Sequence, residues 1–166
     1  MSIKLNSGKI SCCLGESAGL HLRCIWQYLK RTREMNTYST FKSGVDLCSP
    51  SRIRKAVVRH GERFLRRVFT EQEIQYCSSK SNPYPSYAAR FAAKEAAMKL
   101  LGAGLSKVGF SEVEVVNLDS GKPTIIFHGR AKELAMRLGV LRVDLSLSHE
   151  KDMAIAMAVA MVQGAY

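Results

Sequence analysis

Glu95 and Lys99, in the middle of the chain, are of types and at a spacing that can act on an anion. They lie in the run Arg90-Phe91-Ala92-Ala93-Lys94-Glu95-Ala96-Ala97-Met98-Lys99, which reads as a helix. Ala88, Ala92, Glu95 and Lys99 fall at i, i+4, i+7 and i+11 and so share one face. A carboxylate and an ammonium therefore stand on a stripe otherwise made of alanines, which leaves room for a large anion to approach. The plainer alternative is an exposed i,i+4 ion pair contributing only ~0.2–0.5 kcal/mol. The rest of the chain decides between them.

The 166 residues suffice for one domain with a proper core, and no apolar run approaches the ~20 residues of a membrane span. A formal charge of +11 and a pI near 9.7 imply an acidic partner: nucleic acid, anionic lipid, an acidic protein or a polyphosphate. Five cysteines, an odd number without framework spacing, point to a reducing compartment and a cytoplasmic protein. Cys12, Cys13, His21 and Cys24 can be imagined as a zinc site, but no C-x-x-C pair supports one.

Residues 1–43 form a basic extension, with Lys4, Lys9, Arg23, Lys30, Arg31, Arg33 and Lys42 against only Glu16 and Glu34. Leu20–Lys30 has the pattern of a short amphipathic helix. The composition admits an organelle-targeting segment, while a variable extension, or a start at Met35, is the preferred reading. Residues 44–166 read as the domain proper. Phe41–Cys48 is a strand. Ser49 and Pro50 open a helix to about Val68, with Ile53, Val57, Phe64 and Val68 on one stripe and Arg52, Arg59 and Arg66 on another. Only Glu62 offsets those cations, so this face suits an acidic partner at least as well as solvent. Thr70 and Glu73 form a capping box, and Ser86 is placed to cap the central helix, which stops at Gly102-Ala103-Gly104. Phe110–Leu118 and Pro123–Phe127 read as a hairpin, Gly129–Leu138 as a helix, and Val140–Ser148 as an alternating strand. Met153–Val162, with alanines on one face and larger apolar residues on the other, reads as a buried central strand. The order gives an α+β domain with an antiparallel sheet packed against helices.

Gly44-Val45-Asp46, Arg52-Ile53, Arg67–Glu73, the Arg90–Lys99 helix, Gly121-Lys122-Pro123 and Leu145-Ser146-Leu147-Ser148-His149 follow one another in an order that resembles the holo-acyl-carrier-protein synthases, the small 4′-phosphopantetheinyl transferases. The resemblance runs from about residue 44 to 162. It implies transfer of the phosphopantetheine arm of coenzyme A to a serine of an acyl carrier protein, releasing adenosine 3′,5′-bisphosphate. Lys42 and Ser49 depart from the family, which often has a glycine and an acidic residue there, and the extension is unusual for it.

By that resemblance Asp46 and Glu95 are Mg²⁺ ligands, as suits an ion that prefers one or two carboxylates plus phosphate oxygens and water. Lys99 matches the lysine that contacts the phosphates. The base that takes the serine proton is Glu95 or a metal-bound water. Arg90 and Gly102 and Gly104 match positions at the nucleotide end of coenzyme A, and Ser148 and His149 line the same pocket. Lys94 and Lys122 are either phosphate contacts or solvated. Arg52, with Arg59 and Arg66 extending its stripe, matches the docking surface for the acidic carrier protein. Members of this size are usually homotrimers with sites at subunit boundaries. No membrane or nucleic-acid partner is expected: a nucleic-acid-binding reading fits the charge, but exposed aromatics do not alternate with the cations and Asp46 and Glu95 stay unexplained.

Overall fold

Small residues decide how this fold is assembled. The computed structural model describes residues 39–104 and 106–163, and the element order is β1 (Ser39–Cys48), α1 (Pro50–Val68), α2 (Glu71–Ser78), α3 (Tyr84–Leu100), a 3-10 turn (Phe110–Glu112), β2 (Val113–Asn117), β3 (Pro123–Phe127), α4 (Gly129–Arg137), β4 (Val140–Glu150) and β5 (Met153–Gln163). β1, β5 and β4 form an antiparallel sheet with β5 in the centre, and β2 and β3 form a separate hairpin. The architecture is α+β, as the sequence predicts.

α3 lies across β1 and β5. Its alanines Ala88, Ala92 and Ala96 are fully buried, and so are Ala154, Ala156, Ala158 and Ala160 of β5. With only methyl groups between them, helix and sheet approach closely. Gly44 marks the tightest point: a Cβ built there would lie 2.0 Å from the carbonyl oxygen of Ala96. The alanine stripe thus makes room for the sheet, and the expectation that it admits a large anion is corrected. Only at its C-terminal end, past Glu95, does that face emerge into solvent.

Several boundaries also move. Ser39–Ser43 pair with Val159–Gln163, so the expected division between 43 and 44 falls inside a strand. The Leu20–Lys30 helix and the Cys12, Cys13, His21 and Cys24 set lie outside the described residues. α3 starts at Tyr84, with Pro83 in the N-cap position and Pro85 in the first turn, where a missing N–H costs nothing; Ser86 is already inside it. It ends in a Schellman motif, with Ala103 N–H bonding Met98 O at 2.9 Å, Gly102 N–H bonding Lys99 O at 3.0 Å, and Gly102 at φ 64°. Phe110–Glu112 turns before β2 because the Glu112 carboxylate accepts from Gly109 N–H at 2.6 Å. The Thr70–Glu73 capping box forms as expected.

β5 is central but covered on one face only. On the other face Ile155 and Met157, with Val45 and Leu47 of β1, are 39–55% exposed, and among the described elements only the start of β3 comes beside it, through Lys122 and Pro123. Among the described residues no helix is long and apolar enough to cross a membrane.

Candidate active site

The close approach of β1 to α3 brings three predicted residues together. Asp46 faces the helix side of β1, paired with the buried Ala156. Lys99 Nζ donates to Asp46 Oδ1 at 2.7 Å and to the Val45 carbonyl at 3.0 Å. Glu95 stands one turn earlier, half-buried. Burial is the main cause that pushes its carboxyl above the ordinary glutamate value, and the negative charge of Asp46 adds to it. Lys99 and Arg52 pull in the opposite direction. Arg52, exposed in the first turn of α1, is therefore part of the same electrostatic group. Cys48, two residues past Asp46, is buried, and burial pushes its thiol up and away from reactivity.

The donor set is all oxygen: two carboxylates from facing elements, whose mutual repulsion already favours protonating one of them. A hard divalent cation relieves that repulsion and completes its shell with phosphate oxygens and water, so Asp46 and Glu95 fit Mg²⁺.

Other predicted residues fall elsewhere. Lys94 is in neither of its expected places: its side chain is fully buried, ion-paired with Glu73 at 2.7 Å, and bonded to the carbonyls of Phe110 at 3.0 Å and of Val113. Burial drives its proton affinity down and Glu73 opposes this. Lys94 is withdrawn from the phosphate contacts, because all three of its donors are occupied inside the core. Lys122 pairs with Asp144 at 2.7 Å and ties the β2–β3 turn to β4. Arg90 projects about 140° around the helix from Glu95, five residues away. It is only 5% exposed, with its guanidinium 3.9 Å from the Tyr76 ring centroid and Nε without a partner among the described residues. The neighbouring Cys77 thiol is pushed up to about 11 by burial, against the charge of Arg90. Within one chain Arg90 does not meet the Asp46–Glu95–Lys99 group.

Ser148 and His149 likewise point apart. His149 pairs with Ala154 and faces the α3 side, whereas Ser148 pairs with Ile155 and faces the open apolar side of the sheet. Gly102 and Gly104 are exposed just past Lys99, and a Cβ at either would meet nothing within 4 Å. On α1 the arginine stripe is broken. Gly61, at φ 56° and ψ −142°, interrupts the helix, so the seven-residue spacing does not carry from Arg59 to Arg66. Arg66 is engaged with Glu62 at 3.2 Å and Glu71 at 3.4 Å, while Arg52 and Arg59 have no carboxylate within salt-bridge distance among the described residues.

Two features escaped sequence reading. Gly44 positions Asp46, and its only signal was its place in Gly44-Val45-Asp46. A cleft of about 500 Å³ opens beside α1, floored by Phe64, Val68, Phe91 and Phe110 and rimmed by His60, Arg63 and Arg67. Its walls come from three separate segments, which periodicity does not connect.

The sequence model of the 4′-phosphopantetheinyl transferase superfamily matches residues 42–158. The chain belongs to this superfamily. It is 47% identical over 119 residues to a holo-[acyl-carrier-protein] synthase of Carboxydothermus hydrogenoformans, covering 72% of this chain and 96% of that one. The crystal structure of holo-[acyl-carrier-protein] synthase from Neisseria meningitidis superposes with a TM-score of 0.66 at 32% identity, over 72% of this chain and 96% of that one. The corresponding Helicobacter pylori enzyme, solved in complex with coenzyme A, gives 0.62 at 30% identity over 71% and 98%. This chain is thus an enzyme of the phosphopantetheinyl transferase class.

Proposed function

We propose that this protein transfers the 4′-phosphopantetheine arm of coenzyme A to a serine of an apo acyl carrier protein. The observation that carries the reading is the convergence of Asp46, Glu95 and Lys99 where β1 meets α3, in a member of this superfamily. The serine oxygen attacks the β-phosphorus of the coenzyme's pyrophosphate, the bond from that phosphorus to the bridging oxygen breaks, and adenosine 3′,5′-bisphosphate leaves. Asp46 and Glu95 would hold Mg²⁺, which would supply charge neutralisation to the pyrophosphate. Lys99 is half exposed and reaches solvent, so its ammonium can exchange Val45 and Asp46 for phosphate oxygens and stabilise the leaving group. The serine proton passes to Glu95 itself or to a bound water that Glu95 polarises.

Carrier-protein docking falls to α1. Arg52 and Arg59 present cations with no carboxylate at salt-bridge distance among the described residues, and the neighbouring aromatic cleft with its Arg63 and Arg67 rim fits an acidic helix carrying an apolar anchor. Assembly with further copies is supported by the open sheet face: Val45, Leu47, Ile155 and Met157 form an apolar patch that water covers in an isolated chain. Ser148 on that face and Arg90 behind α3 then reach coenzyme A in sites built from two chains, as in a trimer. The test is chromatographic. Coenzyme A, Mg²⁺ and an apo carrier protein should yield adenosine 3′,5′-bisphosphate with this protein, and none when the carrier's serine is replaced by alanine. Release of nucleotide without any carrier would overturn the assignment of the acceptor.

A further inference from the structure

The sheet side of α3 poses a mechanical problem. A helix is held against rotation about its axis by ridges of side chains seated in grooves. Here Ala88, Ala92 and Ala96 of the helix and Ala154, Ala156 and Ala158 of β5 are all without exposure, so the sheet side offers methyl groups rather than long interlocking side chains against a roll. Yet roll decides where Glu95 points. At ~6 Å from the helix axis, a turn of about 10° moves a carboxylate by about 1 Å.

The structure assigns the control of that roll to Lys94 and Glu73. Lys94 is the residue before Glu95, so its side chain leaves the helix about 100° away, toward the core. Its ammonium is fixed in three directions, by Glu73 Oε2 at 2.7 Å, the Phe110 carbonyl at 3.0 Å and the Val113 carbonyl. Glu73 is fixed in turn: Oε2 accepts from Thr70 N–H at 2.8 Å and Oε1 from Val115 N–H at 3.0 Å. A second carboxylate, Glu114, holds Thr70 Oγ1 at 2.7 Å and His128 Nε2 at 2.8 Å. The ammonium thus sits in a frame made by α2, the 3-10 turn and β2, whose carboxylates Glu73 and Glu114 are also held by groups outside α3.

A fully buried ion pair is a poor way to gain stability, because desolvation offsets its attraction and apolar side chains of the same volume often serve as well. What it supplies that an apolar contact lacks is direction. Lys94 and Glu73 are positioning residues: they touch no reacting atom, and they keep Glu95 aimed at Asp46. The inference rests on the proposed activity for its catalytic consequence but not for its geometry.

Both levels are testable on the full chain with K94M/E73Q, which removes both charges together and leaves neither buried ion unpaired. A crystal structure should show α3 rolled by about 10° or more relative to the parent, and transfer should lose about 100-fold in kcat with KM for coenzyme A within about threefold. A KM-against-kcat split of this kind is not what general destabilisation gives. If that variant does not fold, E73D keeps the pair and shortens one arm; it should lower kcat about tenfold at unchanged KM, with a smaller roll. A folded variant whose α3 superposes on the parent and whose kcat is unchanged overturns the inference. A roll observed in a protein whose parent transfers no phosphopantetheine supports the positioning role and removes the proposed function instead.

Discussion

Replacing Gly44 by alanine tests whether the site depends on helix–sheet contact. The new Cβ would sit 2.0 Å from Ala96 O, 2.9 Å from Leu100 N and 3.0 Å from the Ala96 carbonyl carbon, all backbone atoms that cannot swing aside. Ordinary contact begins at 3.4 Å, so β1 and α3 must part by about 1.4 Å, the shortfall at the oxygen. The 2.7 Å bond between Lys99 and Asp46 then opens to about 4 Å, no longer a hydrogen bond. Overpacking of this kind costs about 1–3 kcal/mol, or ~4–12 °C in a domain of this size. The loss of geometry costs more: a displacement of ~1 Å at a reacting centre is worth up to about 100-fold in rate. The assay pairs thermal unfolding with single-turnover transfer to a carrier protein. A Gly44→Ala protein with parental Tm and parental rate would refute the claim that this contact sets the site.

Arg52→Glu should raise KM for the carrier protein at least about tenfold at low salt while KM for coenzyme A stays within about twofold, and added salt should narrow the gap; an equal fall in coenzyme A affinity would remove the docking assignment. Met157→Asp, placed on the open apolar face, should convert the assembly to single chains in sedimentation velocity and abolish transfer, whereas a parent that already sediments as one chain would remove the boundary-site reading. Glu112 accepts from Arg130 side-chain and backbone N–H groups and from Gly109 N–H, and the Arg130 side chain leads in holding its carboxyl down at about 2, against an ordinary 4.5. A depressed carboxyl contributes stability above its unfolded value and loses it as pH falls through the folded one. Glu112→Gln should therefore lower Tm at pH 7, and the difference should close between about pH 4.5 and 2; a difference constant over that range would contradict it.

Much of this was legible in the residues themselves. The 3.6-residue period gave the helices, the strict alternation of Val140–Ser148 and Met153–Val162 gave the long strands, and the Thr70–Glu73 box marked a helix start to the residue. The charged triad was found through a resemblance carried by ordered short motifs. What remained hidden depends on which side of an element faces what. Lys94 and Glu95 are neighbours in sequence and differ by about 100° around the helix, so one enters the core and the other the site. Nothing in the local pattern says which face of α3 the sheet covers. The same ambiguity made β5 read as buried on both faces, since an exposed apolar residue of a strand looks in sequence like one in a core. Gly61 broke the arginine stripe because a spacing rule assumes a continuous helix, and a glycine followed by a charged residue carries no sign of a kink.

The central claim is that Asp46, Glu95 and Lys99 carry phosphopantetheine transfer, and intact-mass measurement of an apo acyl carrier protein tests it most directly. After incubation with this protein, coenzyme A and Mg²⁺, the carrier should gain the mass of one phosphopantetheine, and the gain should vanish with Glu95→Ala and with a chelator. No gain on any of several carriers, from folded protein, would contradict the function, and a gain that survives Glu95→Ala would contradict the site.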